Sequence, residues 1–190
     1  MLILGSYGFS HPLTRTKISG LLPDRTGIML IIPLAGGSSA AENGSFEKEC
    51  AVSQGFLPEN ITVFDENEPD AVREQKFRYI VVTGGNTFTL LHLVRKYGLD
   101  SFIRQQVSDG ADYIGFSAGA CLACPDVGYI RNFDDNIFIT DGDFSALGLT
   151  DKYVLCHYNL RGFREIRMCR EFIGPEPELV TINDDEFVLL

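Results

Sequence analysis

Gly115-Phe116-Ser117-Ala118-Gly119 is a G-x-S-x-G set between an apolar run and a small-residue segment that reads as a helix start. In that context a serine stands on a tight turn that lifts its hydroxyl off a sheet as a nucleophile. The flanking glycines let neighbouring backbone approach without a side-chain clash. The competing reading is an ordinary helix N-cap at a strand–helix turn. His157 directly follows the apolar run Lys152–Cys156. It therefore emerges at a strand end, where an imidazole can take the proton of a hydroxyl on a neighbouring strand. The other two histidines are placed differently: His92 falls in an amphipathic stretch and His11 in a loop before Pro12.

A carboxylate to orient His157 is sought in Asn132-Phe133-Asp134-Asp135-Asn136, where Asp134 and Asp135 both qualify. The same composition is also that of a plain turn. Gly84-Gly85-Asn86 closes another apolar run. A glycine pair there can offer a backbone N–H to a developing oxyanion, with the N–H of Ala118 as second donor. The alternative is a turn that needs glycine, with Asn86 capping the next helix. Taken together these residues spell acyl transfer, in the chain order Ser, Asp, His.

The elements that must position them alternate between β and α. Met1–Leu4, Gly27–Leu34, Ile61–Phe64, Tyr79–Val82, Tyr113–Phe116 and Lys152–Cys156 read as strands. Gly27–Leu34 is apolar on both faces, as in a buried parallel strand. Glu42–Gln54 reads as a helix with Phe46 and Cys50 towards the inside. Thr87–Tyr97, Asp100–Ser108 and Arg161–Phe172 read as further helices, and Leu179–Ile182 with Phe187–Leu190 as a closing hairpin. Repeated βα units imply an α/β three-layer sandwich with a mostly parallel central sheet, in one domain over residues 1–190. Ligands bind such sheets beyond the C-terminal strand ends, where both glycine-rich turns fall.

The net charge of −10 excludes a duplex nucleic acid as partner, because phosphates demand a basic face. No apolar run reaches membrane-spanning length, and Met1-Leu2-Ile3-Leu4-Gly5 lacks the basic flank of a secretory signal. The expectation is a cytoplasmic protein. The five cysteines (50, 121, 124, 156, 169) are irregularly spaced, and Cys121-Leu122-Ala123-Cys124 has neither a second pair nor a nearby histidine. They read as buried reduced thiols, with no metal or cofactor expected.

Several segments together resemble the peptidase E family of serine peptidases (family S51, the α-aspartyl dipeptidases). They are Val82-Thr-Gly-Gly-Asn-Thr-Phe88, Ile114-Gly-Phe-Ser-Ala-Gly-Ala120, Ile130-Arg-Asn-Phe-Asp-Asp135, Phe144-Ser-Ala-Leu-Gly-Leu149 and His157-Tyr-Asn159. The resemblance implies a flavodoxin-like fold, similar to that of class I glutamine amidotransferases. In that wider group the elbow residue is often cysteine, whereas here it is Ser117. The resemblance further implies Ser117 as nucleophile, His157 as base and Asp135 as orienting acid, with Asp134 as competitor. Gly85 and Ala118 would form the oxyanion hole, and Asn86 and Arg164 would bind substrate. The implied reaction is hydrolysis of dipeptides with N-terminal aspartate, whose carboxylate calls for an arginine. Rival readings are a cyanophycinase-like hydrolase, an esterase, or a binding module without catalysis. The expected partner is a small peptide, and the expected state a monomer or homodimer.

Overall fold

The computed structural model describes residues 1–190. Six strands form the main sheet: β1 (Leu2–Gly5), β2 (Met29–Ile32), β3 (Ile61–Val63), β4 (Tyr79–Val82), β5 (Asp112–Phe116) and, at the end of the chain, β8 (Phe187–Leu189). Their spatial order is β3-β2-β4-β5-β1-β8. All pairings are parallel except the last, in which β8 runs antiparallel to β1. A second, two-stranded parallel sheet joins β6 (Tyr153–Leu155) to β7 (Leu179–Thr181).

Alternate residues of each strand enter opposite faces, and each face packs its own core. Ile3, Met29, Ile31, Tyr79, Val81 and Ile114 pack towards α1 (Pro12–Leu21) and α2 (Ala40–Ser53). Leu4, Leu30, Ile32, Ile80, Val82 and Tyr113 pack towards α3 (Thr87–Lys96), α4 (Leu99–Ser108) and the short α5 (Ala118–Leu122). A sixth helix, α6 (Phe163–Ile173), lies on the outside with only Cys169 fully buried. The architecture is thus the α/β, flavodoxin-like three-layer sandwich with a mostly parallel sheet.

Three details differ from the sequence reading. Helix α1 went unread, because only Thr14, Ile18 and Ser19 of it are buried. On α2 the inner side is not where hydrophobicity pointed: Phe46 is 53 % exposed, whereas Glu47 is 7 % exposed. The terminal strands are no hairpin, since β7 pairs with β6 and β8 with β1. The turn between them bridges two sheets and carries Asp184 across to His157.

Candidate active site

Ser117 sits directly after β5, at φ 51° and ψ −109°. Only one other non-glycine residue has positive φ, and it is His157, at 57°. Backbone held in this sparsely populated region concentrates where function demands it. The elbow closes because glycine leaves room. A Cβ on Gly115 would fall 2.4 Å from the Gly119 oxygen, and one on Gly84 would fall 3.0 Å from the Ser117 Cβ.

The imidazole of His157 lies between two partners. Its Nε2 is 3.0 Å from Ser117 Oγ, and its Nδ1 is 2.6 Å from Asp184 Oδ1. Asp184 is the acid that sequence reasoning missed, because Asn183-Asp184-Asp185-Glu186 has ordinary turn composition. It is held on both sides. Asn159 Nδ2 donates to Asp184 Oδ2 at 2.7 Å, and the Asp184 N–H donates to Asn159 Oδ1 at 3.1 Å. Burial alone would raise the Asp184 pKa, but the bonds from Asn159 and His157 outweigh it and hold the carboxyl below its usual range. The carboxyl is therefore ionised opposite the imidazole at neutral pH, the arrangement a triad would use.

Neither Asp134 nor Asp135 bonds to His157, which corrects the expected acid. Asp134 Oδ2 instead accepts from the Thr87 N–H at 2.8 Å, at the start of α3. Asp135 is exposed, and its backbone oxygen accepts from Asn86 Nδ2 at 3.0 Å. Both aspartates thus belong to the packing of their loop onto the α3 N-terminus. The same bonds occupy Asn86, whose Oδ1 also caps α3 by accepting from the Thr89 N–H at 2.8 Å.

Ser6, another residue sequence reasoning passed over, ties the base in place. Its hydroxyl accepts from the His157 N–H at 3.0 Å and donates to the Ile182 carbonyl at 3.2 Å. One buried serine at the end of β1 thereby links the ends of β6 and β7. Tyr7 adds an edge-on contact, with its ring centroid 5.0 Å from that of His157.

The N–H groups of Gly84 and Gly85 donate to nothing within the protein. Ala118, first residue of α5, has no intrahelical acceptor for its own. Gly85 needs its glycine twice over: φ is 139°, and a Cβ would meet the Ala35 oxygen at 2.1 Å. A cavity of about 310 Å³ opens on this side, lined by Ser117, His157, Gly84, Gly85, Ser10 and Glu47 among others. A separate recess of about 30 Å³ also reaches Ser117 and His157, and Arg161 lines it. Arg164 stands exposed on α6 and lines neither. The arginine beside Ser117 is therefore Arg161, in the loop before α6. Its Nε donates to the Cys156 carbonyl at 3.0 Å and its guanidinium sits over Phe133 at 4.3 Å, while its Nη groups bond to nothing within the protein.

All five cysteines are reduced and buried, and no group of three or more histidine, cysteine or acidic side chains has metal-site geometry. No helix is long and apolar enough to cross a membrane.

The family model for peptidase family S51 matches residues 1–190. The chain belongs to this family. It is accordingly a serine-type peptidase. It is 33 % identical over 149 residues to an uncharacterised peptidase of Listeria monocytogenes, spanning 75 % of this chain and 71 % of that one. It is 39 % identical over 115 residues to peptidase E of Salmonella arizonae, spanning 57 % of this chain and 49 % of that protein. The structure superposes on that of a peptidase E candidate from Listeria monocytogenes with a TM-score of 0.76 at 27 % identity, covering 100 % of this chain and 93 % of the other. A peptidase from an acI-B1 Actinobacterium shares the fold at 17 % identity and a TM-score of 0.70.

Proposed function

We propose that this S51 peptidase hydrolyses short peptides, dipeptides with N-terminal aspartate foremost, through a Ser117–His157–Asp184 triad and an acyl-enzyme. The observation that carries the reading is the unbroken chain of contacts from Ser117 Oγ through His157 to Asp184, at 3.0 and 2.6 Å. His157 Nε2 takes the hydroxyl proton as Ser117 Oγ attacks the scissile carbonyl carbon. The unengaged N–H groups of Gly85 and Ala118 stabilise the oxyanion. His157 then returns the proton to the leaving amine, and water repeats the sequence on the ester. Asp184 holds the imidazole in the right tautomer throughout.

The aspartate preference is supported by Arg161, a cation with free Nη groups beside the nucleophile. A carboxylate in the acyl half of the substrate gives it a charge-assisted partner. Turnover of Asp-Leu measured beside Glu-Leu, Ala-Leu and Asn-Leu tests the reading. Asp-Leu leading the series, with all turnover lost in Ser117→Ala, supports it. A flat series, or activity that survives Ser117→Ala, overturns it. A small peptide in the cytoplasm remains the expected partner and setting.

A further inference from the structure

The cavity beside Ser117 holds a charge that the triad does not use. Glu47 projects from α2 into the same space as Ser117, Gly84 and Gly85. It is 7 % exposed. Its carboxylate accepts two hydrogen bonds, both from the neutral Ser10: Oγ at 2.6 Å and the backbone N–H at 3.2 Å. No lysine or arginine forms an ion pair with it. Arg15 is the cation nearest in influence, yet its Nη2 donates to the Ser10 carbonyl at 3.3 Å and its Nε is buried without a partner. Burial accordingly raises the Glu47 pKa, and the Ser10 bonds, the Phe9 N–H and the charge of Arg15 only partly oppose that.

A carboxylate removed from water without a cation is expensive, and a glutamine would hold Ser10 as well at lower cost. A carboxyl group set in the cavity wall beside Ser117, with no ion-pair partner of its own, points to a cation brought by the ligand. Every other wall of the cavity is neutral or is His157, and the buried Thr83 hydroxyl on it has no hydrogen-bond partner. At about 310 Å³ the space is large enough for a dipeptide-sized ligand.

We infer that Glu47 is the receptor for a primary ammonium group of the substrate. It thereby restricts this peptidase to peptides bearing an amine near the scissile bond. Two sources share that chemistry: the free α-amine of the first residue, two bonds from the carbonyl that Ser117 attacks, and a lysine side chain in the leaving residue. The inference rests on the proposed peptide hydrolysis and adds to it the group that Arg161 cannot recognise. Arg161 reads negative charge from its small recess at Ser117; Glu47 reads positive charge from the larger cavity.

The test is Glu47→Gln, which keeps an acceptor for Ser10 and removes the charge. Wild type and variant are compared on Asp-Leu, N-acetyl-Asp-Leu and Asp-Lys. The expected result is a fall of about 10- to 100-fold in kcat/KM on Asp-Leu, carried by KM, the size of one charge-assisted hydrogen bond. The preference for Asp-Leu over its acetylated form collapses with it. A loss confined to Asp-Lys also supports an ammonium receptor and moves the amine to the leaving residue. Equal loss on all three peptides, a loss in kcat alone, or no loss overturns the inference. Labelling of Ser117 by a neutral fluorophosphonate separates this from failure of the peptidase reading. If wild type is labelled yet cleaves no peptide, that reading fails, and the ammonium receptor is judged by protection instead. L-Aspartate slowing the labelling of wild type but not of Glu47→Gln, with succinate protecting neither, upholds it. Equal protection of both proteins by L-aspartate overturns it.

Discussion

Ser117 rises from a strand buried along its whole length, between two parallel neighbours, and every residue of the helix that follows is buried too. His157 and Asp184 hang from a different construction. Their strands, β6 and β7, form a separate two-stranded sheet, and β7 is only half-buried. Asp184 sits in a turn whose next two residues are exposed. Ser117 is thus fixed by packing alone, while His157, just beyond the buried β6, and Asp184, in the turn after β7, also rely on a few hydrogen bonds, chiefly from Ser6 and Asn159. Close-packed interiors resist small displacements. Regions with few buried contacts open locally at little cost. Attack geometry at the elbow is therefore built into the core, whereas the proton-transfer half depends on a short list of polar contacts.

The largest effect tests the packed half. Ser117→Ala should lower kcat by about 10⁴- to 10⁶-fold, as loss of a triad nucleophile does elsewhere. Its thermal unfolding should stay cooperative, since the core around the elbow is unchanged. A variant that loses activity only by unfolding would erase the contrast between the two halves. The hydrogen-bonded half is tested by Asp184→Asn, which should cost about 10⁴-fold in kcat by setting the wrong imidazole tautomer. Asp134→Asn and Asp135→Asn should leave kcat essentially unaltered, because these residues serve the start of α3. Equal losses in all three variants would return the acid role to the earlier loop.

A smaller effect concerns the arginines. Arg161→Ala should raise KM for Asp-Leu by about tenfold, the scale of one charge-assisted bond, and Arg164→Ala should not. The smallest effect is on stability. The folded-state pKa of Glu47 is raised, with Arg15 and Cys50 the nearby groups that share its electrostatics. Burying its charge therefore destabilises the protein at neutral pH, and the penalty vanishes below the ordinary glutamate range, where the carboxyl is protonated folded or unfolded. Glu47→Gln should accordingly melt higher than wild type at pH 7, with the gap closing as pH falls through the range where glutamate protonates. Thermal melts across pH check this, and a gap that widens towards acid would contradict it.

What could be read from the chain follows the same division. Apolar runs such as Met29–Ile32 and Tyr79–Val82 announce buried parallel strands because both their faces are covered. The elbow could be read because glycines and a serine have little other reason to follow such a strand. His157 could be read because one of only three histidines ends a strand. Asp184 could not, since its role arises only when β7 and β8 join different sheets, a long-range event that turn composition does not encode. Arg164 and Arg161 are a helical turn apart, and which one faces the nucleophile depends on where α6 begins. Structure starts it at Phe163, leaving Arg161 in the loop that folds back over Phe133. Glu47 was hidden for the opposite reason to Asp184: periodicity places a phenylalanine inside and a glutamate outside, and here the fold inverts the pair.

Strand β8 is the seam that joins the small sheet's far side to the large one. Leu190 and Leu2 exchange backbone hydrogen bonds at 2.8 and 3.0 Å, so the last residues are stitched to the first strand. Clipping β8 would sever the tether that keeps Asp184 facing the imidazole, while β1 to β5 kept their parallel ladder. The last strand of the large sheet is thereby also one of the two anchors of the turn that faces Asp184 towards His157.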